Sequence, residues 1–172
     1  MPQGLIIPAG TPIIESIVIQ TRPGTDIPNS QETGPLLPKD LLQANIYERT
    51  YTNVVFRTKP CGYYNCHGLT FASRRSWITE HSDVHLILKE DNYKEISQAD
   101  AGSGDVVVYF EKGDPLHSGI VVEVIRNAII PDQKILSKWG GLQECVHNLR
   151  DCPYSSQFVK YYRVISHCYG PR

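Results

Sequence analysis

The sequence lacks an excess of charge of either sign. Its 17 lysines and arginines nearly balance 18 aspartates and glutamates, which gives a formal net charge of −1. Proteins that bind nucleic acid or anionic membranes through electrostatics carry a marked positive patch or net charge. The composition therefore argues against this class of function, and we expect neither nucleic acid nor membrane as a partner.

Long hydrophobic runs are also missing. No apolar run approaches the roughly 18 residues that a membrane-spanning helix requires. The first residues contain no basic stretch, and Pro8 and Pro12 interrupt the apolar residues near the start of the chain, so no Sec-type signal peptide is predicted. We expect a protein that is cytoplasmic or is exported by a dedicated secretion system.

Cysteine occurs in an odd number, so at least one thiol stays unpaired in a monomer. The five cysteines are Cys61, Cys66, Cys145, Cys152 and Cys168. Without a signal peptide the compartment is expected to be reducing, which predicts five free thiols. A disulfide between Cys145 and Cys152 is the alternative for an exported protein.

Proline is concentrated at one end of the chain. Seven of the twelve prolines lie within the first 38 residues, which predicts a Pro-rich N-terminal arm or extension over residues 1–45. This arm either packs on the body or serves as a linker. The remaining residues, 46–172, are predicted to form one domain, since a chain of this length buries about two thirds of its unfolded surface.

The hydrophobic pattern changes from helical to extended along the chain. A short helix is predicted at residues 41–48, a second from Asn65 to about Thr79, and a polar helical turn at residues 91–98. Strand candidates rich in Val, Ile and Tyr occur at residues 105–110, 118–125, 134–139 and 158–164. This order predicts an α+β fold, with N-terminal helices packed on a central antiparallel β-sheet or half-barrel.

Cys66 is the candidate nucleophile. It comes directly after Asn65, a good helix N-cap residue, and precedes the helical pattern. Unpaired backbone N–H groups and the helix dipole at such a position favour thiolate over thiol. Because a thiolate attacks carbonyl carbon, this placement favours an enzyme. The alternative role is that of a small buried hydrophobic residue.

His117 is the candidate general base. It stands at the predicted head of a strand, and the small residues Ser118 and Gly119 leave room beside its imidazole. A general base must lie within about 3 Å of the proton that it abstracts. A helix start that faces the first residue of a central strand gives this geometry. The alternative is an ordinary surface or capping histidine.

The supporting residues are less determined. We favour His147, in a predicted loop, as the residue that orients His117, with Ser137 on the preceding strand and Glu144 in the same loop as the alternatives. The oxyanion formed during attack is expected to meet the backbone N–H of Cys66 and the phenol of Tyr64 or Tyr63. Asn65 supports this site from the position before the nucleophile.

Three segments resemble the NlpC/P60 group of papain-like cysteine peptidases and amidases. Residues 64–69, Tyr-Asn-Cys-His-Gly-Leu, are similar to the group's Asp-Cys-Ser-Gly-Leu/Phe element, which carries the nucleophile. Residues 104–109 resemble its Gly-Asp-Leu-Val-Phe-Phe strand, and residues 117–122 its His-Val-Gly-Ile-Tyr strand, which carries the base. The resemblance implies a papain-like fold, with Cys66 and His117 as the catalytic pair. The group's third polar residue has no clear counterpart, and the nearest positions are Ser137 and Lys138.

The expected function is a cysteine hydrolase, a peptidase or amidase that works through a thioester acyl-enzyme without a cofactor. Its substrate would be a peptide, a protein or peptidoglycan, as in a cell-wall-targeting enzyme. A toxin or effector domain would add a cognate inhibitor, an immunity protein, as partner. The alternatives are a cysteine deamidase or acyltransferase that acts on a protein, a catalytically dead binding module, and a zinc-stabilised module. Zinc ligands for the last would come from Cys61, Cys66, His67, Cys145, His147 and Cys152.

Overall fold

A computed structural model describes residues 14–125, 132–155 and 157–165. Its helices are α1 (Pro38–Thr50), α2 (Cys66–Phe71) and α3 (His81–Glu90). Its strands are β1 (Ile14–Glu15), β2 (Gln31–Glu32), β3 (Val55–Phe56), β4 (Tyr93–Ile96), β5 (Val106–Glu111), β6 (Asp114–Ile125), β7 (Asp132–Lys138), β8 (Glu144–Asn148) and β9 (Val159–Val164). None of these helices is long and apolar enough to cross a membrane.

A seven-stranded antiparallel sheet forms the centre of the fold. Its strand order is β3-β8-β7-β6-β5-β9-β4, and a separate two-stranded sheet pairs β1 with β2. The long strand β6 lies in the middle of the large sheet, and α2 packs against β6 and β7. The predicted α+β class and the antiparallel sheet are confirmed.

Several element predictions need correction. The helix that begins at Cys66 ends at Phe71 instead of near Thr79, because Ser73 and Arg74 take φ values of 51° and 65°, in the left-handed region that ends a right-handed helix. The predicted polar helical turn at residues 91–98 contains the strand β4. The predicted loop around His147 is the strand β8, paired with β7.

The N-terminal arm packs on the body where the structure describes it. Ile19 and Ile27 are buried in one cluster with Ile78 and Val84, and Ser30 forms a β-bridge with Trp77. The predicted boundary at residue 45 falls inside α1, so it does not coincide with the end of an element. Residues 19–30 are therefore part of the folded unit.

Four cysteines lie in the described residues. Cys61, Cys66, Cys145 and Cys152 are all free thiols, so the alternative disulfide between Cys145 and Cys152 is not formed. Cys168 lies outside the described residues.

Candidate active site

Asn65 fixes the start of α2. Its side-chain oxygen accepts hydrogen bonds from the backbone N–H groups of Gly68, at 2.8 Å, and Ile78, at 3.2 Å. Its side-chain nitrogen donates to the carbonyl of Ile78 at 2.7 Å. This is the capping role that its sequence position predicted, and it ties the first turn of α2 to the chain beyond the end of the helix. Asn65 thus positions Cys66.

Cys66 lies in a dry environment between α2 and the central sheet. It is 5% exposed, and the backbone N–H groups of Ser118 and His67 lie near its sulfur. Burial raises the pKa of the thiol to about 11, although these N–H groups and the charge of Lys138 act in the opposite direction. The expected thiolate is therefore not the resting form, because loss of hydration outweighs the N–H groups at the start of a six-residue helix.

His117 lies on β6, immediately before Ser118. It is completely buried, inside the strand rather than at its head. Its ring stacks on Tyr154, with centroids 4.0 Å apart and planes 5° apart. Neither ring nitrogen has a hydrogen-bond partner among the described residues. Burial and the neighbouring histidines His147 and His67 lower its pKa well below the usual value.

The two candidates lie on elements that pack together, but their side chains are not hydrogen-bonded to each other in this conformation. Ser118 follows His117 in the strand, so their side chains lie on opposite faces of β6: Ser118 meets His67 and Thr70 of α2, whereas His117 lies against Tyr109 and Tyr154. The raised thiol pKa and the lowered imidazole pKa leave both groups neutral near pH 7.

His147 and Ser137, the two candidates for an orienting residue, contact each other. Ser137 Oγ lies 2.8 Å from His147 Nε2, and His147 Nδ1 donates to the carbonyl of Asn148 at 2.8 Å. Both residues are completely buried. The structure brings His147 close to His117, but without a hydrogen bond between them, so His147 does not fix the tautomer of His117 here.

Tyr64 is not a free oxyanion donor. Its hydroxyl donates to the Glu144 carboxylate, which also forms an ion pair with Arg74, 2.6 Å from Nε to Oε1. Burial and the hydrogen bond to Glu144 raise the pKa of Tyr64. The prediction for this residue needs correction, because a phenol has a single O–H to donate and the carboxylate takes it.

Lys138 is a buried cation next to the site. Its ammonium donates to the carbonyl oxygen of Cys61 at 2.8 Å and to that of Leu142, and lies 4.5 Å from the ring centroid of Tyr64. Burial lowers its pKa to about 8. The sequence shows this lysine at the end of a strand candidate and directly before Trp139, which is the signal that points to it.

A pocket of about 470 Å³ is lined by Tyr154 but not by Cys66 or His117. Its walls include Gly62, Trp77, Trp139, Gly141 and Tyr154. Tyr154 therefore borders both the pocket and the ring of His117. Sequence reasoning missed Tyr154, since it lies in an irregular segment between β8 and β9 that has no pattern of its own.

No family model, curated protein or solved structure matches this chain. The residue pattern and the geometry of Cys66, His117 and their neighbours are therefore the basis for assigning its chemistry.

Acidification is expected to destabilise the fold through His67. This buried ring donates from Nε2 to the Pro115 carbonyl at 3.1 Å and meets Ser118 Oγ at 2.9 Å. Burial lowers its pKa to about 4, whereas an unfolded histidine titrates near 6.5. The unfolded state thus takes up the proton first, so the stabilisation is complete above about pH 6.5 and is lost as the pH falls towards 4.

The expected loss in the free energy of unfolding is about 2–3 kcal/mol from His67, and His147, whose pKa burial also lowers to about 4, changes stability in the same direction. Urea denaturation at pH 7 and pH 4.5 measures the difference. His67→Gln should flatten this pH dependence, while His85→Gln, at an exposed position, should leave it as in the wild type. Equal stability of the wild type at both pH values would contradict the prediction.

Proposed function

We propose that the protein is a cysteine-dependent hydrolase of peptide or amide bonds, with Cys66 as nucleophile and His117 as base. The observation that carries the proposal is that α2, which begins at Cys66, packs against β6, the central strand that bears His117. A cysteine at a helix start that packs against a histidine-bearing strand of an antiparallel sheet is also what the NlpC/P60 resemblance implies. A papain-like fold of that type is part of the proposal.

The resting pair is neutral, so proton transfer accompanies attack. Attack requires a rearrangement that takes His117 off Tyr154 and brings a ring nitrogen to the thiol. The imidazole then takes the thiol proton as the sulfur bonds to the carbonyl carbon. The carbonyl π electrons move to oxygen. As the tetrahedral intermediate collapses, His117 gives the proton to the leaving amine and a thioester remains on Cys66.

Water completes the reaction. It attacks the thioester carbonyl, His117 takes its proton, and the acid product leaves as the proton returns to the sulfur. The sum is one amide and one water converted into one acid and one amine. The Lys138 ammonium lowers the thiol pKa and so favours the transient thiolate.

The pocket beside Tyr154 is the proposed entry for substrate. Its aromatic and glycine walls, such as Trp77 and Gly141, leave room for an extended peptide backbone. A peptide, protein or peptidoglycan stem is the proposed substrate class, and a toxin or effector with an immunity partner is one setting for such an activity. A deamidase or acyltransferase would use the same two residues and differ in the group that leaves or accepts.

Product analysis tests the proposal and separates these reactions. The purified protein is incubated with peptidoglycan fragments and a general peptide library in H₂¹⁸O, quenched in acid and examined by mass spectrometry. We expect one ¹⁸O in the new carboxylate, a free amine product and an acyl adduct on the peptide that contains Cys66. Release of ammonia alone indicates deamidation. Turnover that persists in Cys66→Ala would refute the proposed nucleophile.

A further inference from the structure

The geometry points to a transition-metal site, of the kind that binds Zn²⁺, formed by His117, His147 and Cys152. One ligand atom of each residue lies within 4.8 Å of those of the other two. Donor atoms around a tetrahedral zinc ion are about 3.3–3.6 Å apart, so a contraction of about 1 Å through side-chain rotation completes the set. The ligands come from β6, β8 and the segment after β8.

This set differs from the clusters that the sequence offered. Among the described residues, the group of possible metal ligands does not include Cys61, Cys66, His67 or Cys145. Strand pairing explains the change, because β6 and β8 both pair with β7. His117 and His147 are brought together by that topology, which sequence spacing does not reveal.

The ring of His117 has two unsatisfied nitrogens. Both are buried and without a hydrogen-bond partner in the described part of the chain, and an unsatisfied buried polar group costs about 1–3 kcal/mol. Tyr154 covers the face of the ring. Since a ligand bond to imidazole lies in the ring plane, this stack fixes the ring without blocking the nitrogen lone pair.

The ring of His147 is held in the tautomer that a metal requires. The carbonyl of Asn148 can only accept a hydrogen bond, so Nδ1 carries the proton and Nε2 carries the lone pair. A histidine ligand that donates its other N–H to a backbone carbonyl is the usual outer-shell arrangement. Ser137 Oγ donates to Nε2 at 2.8 Å along the direction that the metal would take, so binding requires this side chain to rotate away, towards the Cys145 sulfur that it also contacts.

Cys152 completes the set with the softest donor. On binding, its thiol loses its proton to solvent and its sulfur bonds to the ion. Two neutral imidazoles and one thiolate suit Zn²⁺ or Co²⁺ and disfavour Mg²⁺ and Ca²⁺, which prefer oxygen ligands. Three protein ligands leave the fourth tetrahedral position for water.

Metal binding has a consequence for catalysis that rests on the proposed function. A bound ion occupies the lone pair of His117, which then cannot take the proton from Cys66. The ion would therefore act as an inhibitor of the hydrolase. The site itself does not depend on that reaction, because Cys66 is not one of its ligands.

Cobalt tests the site without any assay of activity. The full chain is produced in minimal medium with added Co²⁺, so that the ion is present as the buried site folds. We expect one cobalt per chain and a thiolate-to-cobalt charge-transfer band in the near ultraviolet, both lost when Zn²⁺ displaces the cobalt. Cys152→Ser should abolish the band and bind at least tenfold less cobalt, while Cys61→Ser and Cys66→Ser should retain both.

Two outcomes would overturn the site. One is folded wild-type protein, checked by circular dichroism, that holds no stoichiometric cobalt. The other is a charge-transfer band that survives in Cys152→Ser. If that variant fails to fold, alkylation of the wild type gives the same decision, because bound metal must protect Cys152 from iodoacetamide and removal of the metal must expose it. Absence of turnover in the ¹⁸O product assay leaves these results unchanged, so the two proposals fail separately.

Discussion

Cys66→Ala lowers kcat/KM by at least about 10³-fold on any amide substrate that product analysis identifies, because the variant has no atom that can form the thioester. His117→Ala is expected to lower it by about 10²–10⁴-fold, the usual contribution of a general acid–base residue. Steady-state kinetics on the purified variants measures both effects.

Because Cys66 and His117 are buried, each variant needs a control for the stability of the fold. Cys61→Ser changes a cysteine at the edge of the site and should keep most of the activity. His117→Ala leaves a cavity against Tyr154, so His117→Gln provides a variant of closer volume, and thermal unfolding shows whether each chain is folded. Full activity in folded Cys66→Ala or His117→Gln ends the proposal.

His147→Ala should reduce the rate only if His147 orients the base when the site opens, and an unchanged rate would direct attention to Ser137.

Gly68→Ala should destabilise the fold by about 3 kcal/mol or more, the upper range for overpacking a buried position. A Cβ atom at this position would lie 1.6 Å from the carbonyl oxygen of Ser76. That carbonyl cannot move aside easily, because the Ser76 hydroxyl oxygen lies 2.7 Å from Asn29 Oδ1 and 2.8 Å from the Ser30 carbonyl oxygen, either of which can accept its hydrogen.

Helix propensity alone predicts the opposite sign, since alanine stabilises a helix interior by about 1 kcal/mol relative to glycine. Urea denaturation of the variant therefore decides between local preference and tertiary packing. Gly102→Ala is the matched control, because the nearest side-chain atoms to its added Cβ are 3.9 Å away, and it should change the free energy of unfolding by less than about 0.5 kcal/mol. A Gly68→Ala protein as stable as the wild type would mean that α2 does not approach Ser76 this closely.

The parts of the fold that the sequence predicts are those with a strong local pattern. The strands β5, β6, β7 and β9 are rich in Val, Ile and Tyr, and each overlaps its predicted range. The sequence does not predict β8, because Glu144 and Asn148 at its ends are polar. The Glu144 carboxylate can be buried because Arg74 and Tyr64 pair with it. Such partners are distant in sequence and leave no local signal.

The candidate site divides in the same way. Residue types and spacing point to Cys66 and His117, and the structure places them on neighbouring elements. The acidity of the thiol was predicted wrongly, because the dipole of a helix start is a local property whereas burial is set by the whole fold. Cys152 and Tyr154 reach His117 through an irregular segment, so only the folded chain shows that they belong there.

The position of β9 constrains how the protein is made. This strand lies between β5 and β4 in the sheet, yet it is the last of the described strands to leave the ribosome. Until then β4 has no strand to pair with and one edge of β5 stays open, the kind of edge along which nascent chains aggregate. Ribosome-bound chains that stop short of residue 159 are thus the species for which chaperone protection matters most.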